Sequence, residues 1–322
     1  MSKVYSNILD MVGNTPLLKI NNIDTGICEL FVKLENLNPG GSIKDRVGLQ
    51  MIEDAEKNGS LNKGGTIVEC TAGNTGLGLA LAAKLKGYKL ILVIPDKMSQ
   101  EKVMHLEAMG VDIVFTRSDV EKGPPEHYQD FAAKIVSETP GSFFSDQVNN
   151  PSNPYIHETT TGPEIWNQMD GDIDAFVAGV GTGGTISGVG KFLKSKNPNL
   201  KLVVADPIGS VVADAVNKGS YKYENGSWLV EGIGEDHIPG NLNLDIIDEG
   251  IYVSDKKAFE MLNKLLQEEG ILAGTSCGTL LEAAVEWCKA QKEPKKVVTL
   301  ICDTGNKYLS KAYNKEWVEE NL

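Results

Sequence analysis

The chain has 322 residues, 41% apolar and 23% charged, and its 31 basic and 44 acidic side chains give a net charge of −13. That balance argues against an electrostatic nucleic-acid binder and against a protein held on an anionic membrane surface. No apolar core of signal-peptide length occurs in the first thirty residues, and no apolar run approaches bilayer-spanning length, so a cytoplasmic protein is expected.

The first segment of chemical interest is Asn38-Pro39-Gly40-Gly41-Ser42-Ile43-Lys44-Asp45-Arg46. Lys44 follows a Pro-Gly-Gly turn at the expected start of a helix. It reads either as an exposed helix-start lysine or as an amine tuned by its surroundings for Schiff-base chemistry. Beyond it, short β-rich runs alternate with helical stretches. Thr66–Cys70 reads as a strand, followed by a loop at 71–74 and a helix through Leu77, Leu81 and Leu85 that stops at Gly87. Strands follow at Lys89–Ile94 and Asp112–Thr116, with helices at 99–109 and 125–138. After the Asn/Pro/Ser-rich stretch 149–154 a second series begins: strand Asp174–Ala178, glycine loop 181–185, helix 185–195 and strand Leu202–Ala205. Helices at 255–269 and 278–290 precede a last strand, Lys296–Cys302. Repeated strand–helix–strand units predict parallel sheets covered by helices. The class is therefore α/β, in two halves divided near 148–154.

Two loops carry anion-binding chemistry. Gly179-Val180-Gly181-Thr182-Gly183-Gly184-Thr185 follows a strand and opens a helix, so its backbone N–H groups and threonine hydroxyls can cradle a phosphate. A tight packing turn is the plain alternative. Gly179, Gly181 and Gly184 also match G-x-G-x-x-G, and Asp206 lies where a dinucleotide-binding acid would stand, which keeps a dehydrogenase open. Thr71-Ala72-Gly73-Asn74-Thr75-Gly76 is a second candidate; helix capping is its simpler reading. Five scattered cysteines (Cys28, Cys70, Cys277, Cys288, Cys302) read as reduced thiols. The histidines are isolated from one another, so no metal is expected.

The motifs together resemble a known group. Val12-Gly13-Asn14-Thr15-Pro16-Leu17, Lys33-Leu34-Glu35, Gly41–Arg46, Thr71–Gly76, Gly179–Thr185 and Gly274–Gly278 stand in the order seen in fold type II pyridoxal-phosphate enzymes. The nearest likeness is to the cysteine synthase and cystathionine β-synthase family, in a short bacterial form. The resemblance implies two three-layer α/β domains with mainly parallel sheets, of the tryptophan synthase β-like fold. Residues 43–148 would form the smaller, substrate-binding domain, and 1–42 with 149–322 the larger, cofactor-binding one. The cofactor implied is pyridoxal 5'-phosphate, the ligands small amino acids, and the assembly a homodimer. Lys44 would be the Schiff-base lysine, Asn74 the partner of the ring hydroxyl, Gly181, Thr182, Gly183, Gly184 and Thr185 the phosphate cup, and Ser276 the hydroxyl facing the ring nitrogen. Thr71, Ala72, Gly73, Asn74, Thr75, Gln147 and Gly232 would serve the substrate. The family often has serine where Ala72 stands, so one hydroxyl donor is missing and the preferred β-substituent is open.

A serine hydroxyl cannot hold a pyridinium as strongly as a carboxylate can. Such a cofactor is a moderate electron sink, suited to Cα-proton removal by Lys44 and loss of a β-substituent. The expected reaction is β-replacement at O-acetylserine, serine or cysteine by a sulfur nucleophile. Cysteine, cystathionine or lanthionine would be the product, and hydrogen sulfide would be released from cysteine. β-Elimination, as in serine and threonine dehydratases, is the alternative in the same fold; a non-catalytic binding module is another. His157–Trp166 resembles cysteine synthases, whereas Val230–Pro239 and Ala205-Asp206-Pro207 look more like cystathionine β-synthases. Within the second of these, Glu231, Glu235 and Asp236 read either as a solvated acidic turn or as groups that orient or deprotonate the second nucleophile, with Glu235 and Asp236 as candidate catalytic residues.

Overall fold

The structure, a computed structural model, describes residues 4–71, 73–96, 100–117, 128–222 and 226–322. In chain order its regular elements are β1 (Leu17–Lys19), β2 (Glu29–Leu34), α1 (Lys44–Asn58), β3 (Thr66–Glu69), α2 (Asn74–Lys86), β4 (Lys89–Pro95), α3 (Gln100–Ala108), β5 (Asp112–Thr116), α4 (Tyr128–Glu138), β6 (Ser142–Phe144), α5 (Ser152–Ile156), α6 (Gly162–Gln168), β7 (Ala175–Gly179), α7 (Gly184–Lys196), β8 (Lys201–Pro207), α8 (Val212–Lys218), β9 (Glu249–Val253), α9 (Asp255–Glu269), α10 (Thr275–Lys289), β10 (Lys296–Ile301) and α11 (Lys315–Asn321). The α/β class is borne out. The expected starts of the helices at 99–109 and 125–138 lie outside the described residues, as does Ala72.

The chain divides into two compact units. The first comprises the residues up to Val12 and Asn38–Asn153, and the second Gly13–Leu37 and Pro154–Leu322. The turn before α1 belongs with α1 because Gly41 N–H donates to Asn38 O at 2.8 Å and Gly40 N–H donates to the Asp45 carboxylate. Residues 145–153 stay with the first unit for a similar reason. Ser145 N–H donates to Val68 O and Gln147 N–H to the Glu69 carboxylate, both at 3.1 Å.

The first unit holds a four-stranded sheet in the order β5-β4-β3-β6, with every pairing parallel. Helix α4 packs against β3, β4 and β6, and α2 against β4. Helix α1 lies on α2 rather than on the sheet, and the contact is made by glycines. A Cβ on Gly48 would meet Gly78 C at 2.5 Å, and one on Gly78 would collide with the carbonyl of Lys44. Consequently the small side of α2 is buried, and Leu85, expected on the inner face from its spacing, is 50% exposed.

The second unit holds a six-stranded sheet in the order β1-β2-β10-β7-β8-β9. Only β1, at the edge, runs antiparallel, with Leu17 opposite Lys33. Helix α10 packs across β2 and β7–β10, and α7 packs on β7 and β8. Strand β2 is hard to recognise in the sequence because Lys33, its next-to-last residue, is a charged side chain that is fully buried. Its Nζ is neutralised by Glu164 at 2.8 Å and also donates to Thr15 O and to Gln168 Oε1, while Thr15 donates to Glu35 at 2.6 Å. A buried ammonium is tolerable only with such partners.

Candidate active site

In the first unit the geometry begins at Lys44. Gly41, at φ +78°, turns the chain into α1, and Ser42 Oγ accepts the Lys44 backbone N–H at 3.2 Å. The lysine is half-buried. Its carbonyl rests on Gly78, which follows Asn74 by four residues on α2. Four residues is about 6 Å of helix, so the α1–α2 crossing brings Lys44 and Asn74 to the same end of the helix pair.

The loop before α2 starts the helix without a capping side chain of its own. Gly73 is the N-cap and supplies no side chain; Thr71 Oγ1 accepts the Gly73 N–H at 3.1 Å. Thr75, buried in the first turn, donates its hydroxyl to Gln147 Oε1 at 2.5 Å. The structure thus joins Thr71, Gly73, Asn74, Thr75 and Gln147 around one helix start. No acid lies between Thr71 and Gly76.

The second unit repeats the device between β7 and α7. Gly183 caps α7 at φ +79°, and a Cβ there would strike the backbone of Leu242 at 2.8 Å. A Cβ on Gly181 would meet Gly232 O at 2.5 Å. Thr185 Oγ1 is 3.2 Å from His157 Nε2, and the buried His157 is held through Nδ1 by Thr161 at 2.9 Å. His157 was visible in the sequence only as part of a longer motif, and its contact with Thr185 emerges only in the fold. Ser276 lies in the first turn of α10, whose N-cap Gly274 also lacks a capping side chain. It is 5% exposed, and its hydroxyl makes no hydrogen bond among the described residues.

The segment 231–234 ties these two helix starts together. Glu231 N–H donates to Thr275 Oγ1 at 2.9 Å, beside Ser276, and Gly234 N–H donates to Val180 O at 2.8 Å, beside Gly181. Gly232 lies between them, exposed at φ +87°. Glu231 stands apart from the other two acids, whose carboxylates both face His237 Nδ1, Glu235 at 3.9 Å and Asp236 at 2.7 Å. Glu231 pairs with Lys311 at 3.0 Å. Glu235 is anchored by its backbone, its N–H donating to Ser210 Oγ at 3.0 Å. The Asp236 carboxylate, 48% exposed, bonds His237 Nδ1 at 2.7 Å. His237, which the sequence did not mark, thereby joins the acidic turn.

Asp206 removes the dinucleotide reading. It is fully buried and its Oδ2 accepts the Ala213 N–H at 2.8 Å, capping α8. Burial pushes its carboxyl up to about 6 against these hydrogen bonds. A carboxylate spent on a helix start cannot receive a ribose.

Each unit by itself carries donors suited to an anion, namely backbone N–H groups at helix starts whose N-cap is glycine and hydroxyls with no acid among them, and the first adds a lysine braced beside its loop. The family comparison agrees. A model of the pyridoxal-phosphate dependent enzymes matches residues 8–303, and the chain belongs to this family. Cystathionine beta-synthase of Apis mellifera is 44% identical over 321 residues, covering 99% of this chain and 63% of that protein. The chain therefore spans less than two thirds of that relative's length. Cysteine synthase of Staphylococcus aureus (strain N315) is 44% identical over 311 residues, 96% of each chain. Among solved structures, a hydrogen sulfide-producing enzyme from Fusobacterium nucleatum superposes with a TM-score of 0.87 at 37% identity, covering 95% of this chain and 99% of that one.

Proposed function

We propose that this chain catalyses pyridoxal-phosphate-dependent β-replacement at an L-serine-type amino acid, exchanging its β-substituent for a sulfur nucleophile. The observation that carries the reading is the packing of the Lys44 carbonyl on Gly78, which sets a lysine beside the Asn74 helix start. Similarity to a cysteine synthase over nearly the full length of both chains supports it.

The cofactor, when bound, supplies an electron sink for the pair left at Cα. The residues of this chain do the rest. Backbone N–H groups of Gly181–Thr185, with the hydroxyls of Thr182 and Thr185, bind the phosphate at the positive end of α7. The Asn74 amide orients the ring oxygen, and the Ser276 hydroxyl serves the ring nitrogen. Thr71, Gly73, Thr75 and Gln147 hold the substrate carboxylate, and Gly232 borders the substrate. Lys44 Nζ takes the Cα proton and returns it. In this reading the first unit is the substrate domain, and the second holds most of the cofactor.

A second reading, with water as the final nucleophile, gives serine and sulfide from cysteine. The half-exposed Asp236, bonded to His237, favours it, because such a pair can accept a proton from water or a thiol. Asp236→Asn should then change the partition of products while loss of the β-substituent proceeds unchanged; an unaltered product ratio removes Asp236 from the mechanism. We also propose a cytoplasmic homodimer, consistent with five free cysteines. Light scattering at twice the chain mass tests the dimer.

The deciding experiment has two parts. Borohydride reduction of the yellow protein should fix the cofactor on Lys44, read by peptide mass. Lys44→Ala should then lower turnover by about 10³-fold or more. Product analysis with O-acetylserine, serine and cysteine, each with sulfide or homocysteine, separates replacement from elimination. A colourless protein that turns over none of them overturns the reading.

A further inference from the structure

Helix α10 begins at Gly274, which has no capping side chain, so its own cap does not fix where Ser276 stands in the first turn. The residues before it do. Ala273, fully buried, forms an isolated antiparallel bridge with Thr304. The bonds of that bridge come from the neighbours: Gly274 N–H donates to Asp303 O and Gly305 N–H to Leu272 O, both at 3.1 Å. In such a pair the bridged residue's own N–H and C=O face away from the partner strand. Being buried, they must be satisfied from the other side.

A single atom satisfies both. Tyr313 Oη accepts the Ala273 N–H at 3.1 Å and donates to Ala273 O at 2.6 Å. A phenol oxygen carries lone pairs and a proton together, so it can stand in for a missing strand. Burial pushes this phenol above its ordinary range, which keeps the donated proton in place. Gly305 leaves room for the ring, since a Cβ there would meet Tyr313 Cε2 at 2.9 Å and Ala273 O at 2.8 Å. The same C-terminal segment reaches the helix a second time. Lys311 pairs with Glu231 at 3.0 Å, and the Glu231 N–H donates to Thr275 Oγ1 at 2.9 Å.

We propose that Tyr313 is a positioning residue for the cofactor's ring nitrogen: by holding the Ala273 peptide it sets the Ser276 hydroxyl where that nitrogen meets it. The inference rests on the assignment of Ser276 to the ring nitrogen. A purely structural tyrosine would change stability, and affinity for any cofactor, without regard to one ring atom.

The test titrates the apoprotein, by equilibrium dialysis, with pyridoxal 5'-phosphate and with its deaza analogue, which carries C–H in place of the ring nitrogen. Tyr313→Phe keeps the ring and removes both bonds. It should weaken binding of pyridoxal 5'-phosphate by roughly threefold to tenfold, the worth of one hydrogen bond, and leave the analogue as it was. Adding Tyr313→Phe to Ser276→Ala should cost no further preference for pyridoxal 5'-phosphate over the analogue, because the phenol acts through the hydroxyl. Equal weakening of both cofactors, unchanged binding of pyridoxal 5'-phosphate, or a further loss of preference in the double variant overturns the proposal. If Tyr313→Phe does not fold, Gly305→Ala crowds the same phenol and should show the same selectivity; its absence is equally decisive. Ser276→Ala by itself tests the underlying assignment. If it weakens both cofactors alike, Ser276 does not serve the ring nitrogen, whatever Tyr313 does.

Discussion

Two groups of helix starts in this protein differ, and the difference separates binding from scaffolding. Helices α9 and α11 are closed by their own side chains: Ser254 accepts the Lys257 N–H, and Asn314 accepts from Glu316 and Trp317. Helix α8 borrows the Asp206 carboxylate from the end of β8. By contrast, α2, α7 and α10 begin at Gly73, Gly183 and Gly274, N-cap residues with no side chain to offer the first N–H groups. At Gly274 the neighbours Asp303 and Tyr308 leave no room for one. Orphan donors at a helix start must find a partner. Where the protein supplies it, the helix is scaffold; where glycine withholds it, a ligand anion can take the place.

Four substitutions probe this contrast, the largest effect first. Gly183→Ala forces a left-handed alanine against Leu242 and should weaken cofactor binding to the apoprotein by roughly 10²-fold or more, measured by absorbance titration. A loss within a few-fold would mean the α7 start is not the phosphate site.

Asp206→Asn examines the borrowed cap. The folded carboxyl, raised to about 6 from 3.8, binds a proton that the unfolded chain has released. Stability from this group is therefore full below the unfolded value and lost as pH rises towards 6. The slope between pH 4 and 6 should flatten in the variant, by at most about 3 kcal/mol in total. Denaturant unfolding across that range reads it, and an unchanged slope would show that Asp206 keeps an ordinary carboxyl.

Gly73→Asp closes an open start, and space exists, since a Cβ there meets only Thr71 Oγ1 at 3.6 Å. It should stabilise the protein by a few tenths of a kcal/mol while weakening L-serine binding about tenfold, leaving cofactor affinity alone. Weaker cofactor binding instead would assign the α2 start to the wrong ligand. Ser254→Ala, at a closed start, should cost about 1 kcal/mol in thermal unfolding and leave L-serine binding as it was.

Much of this was legible in the chain. Strands β3, β4, β5, β7, β8 and β10 announce themselves as apolar runs, and α9 matches its expected 255–269 span because caps and periodicity agree. Strands β1, β2, β6 and β9 did not. β1 and β6 have three residues each, too few for a pattern, and β2 hides a buried lysine. The Thr71–Gly76 and Gly179–Thr185 loops were readable because a strand–glycine–helix order is a local property.

The sequence by itself determined the α/β alternation, the two glycine-rich helix starts and the lysine that follows a turn, since all three depend on neighbours within a few residues. The tertiary structure alone decided the rest. Gly48 and Gly78 matter because two helices cross there, and Asp206 caps α8 only because β8 delivers it to that helix start. His157 meets Thr185 across 28 residues and Glu69 meets Gln147 across 78. Such pairs leave no periodic trace, because they exist only after burial has chosen which polar groups must satisfy one another.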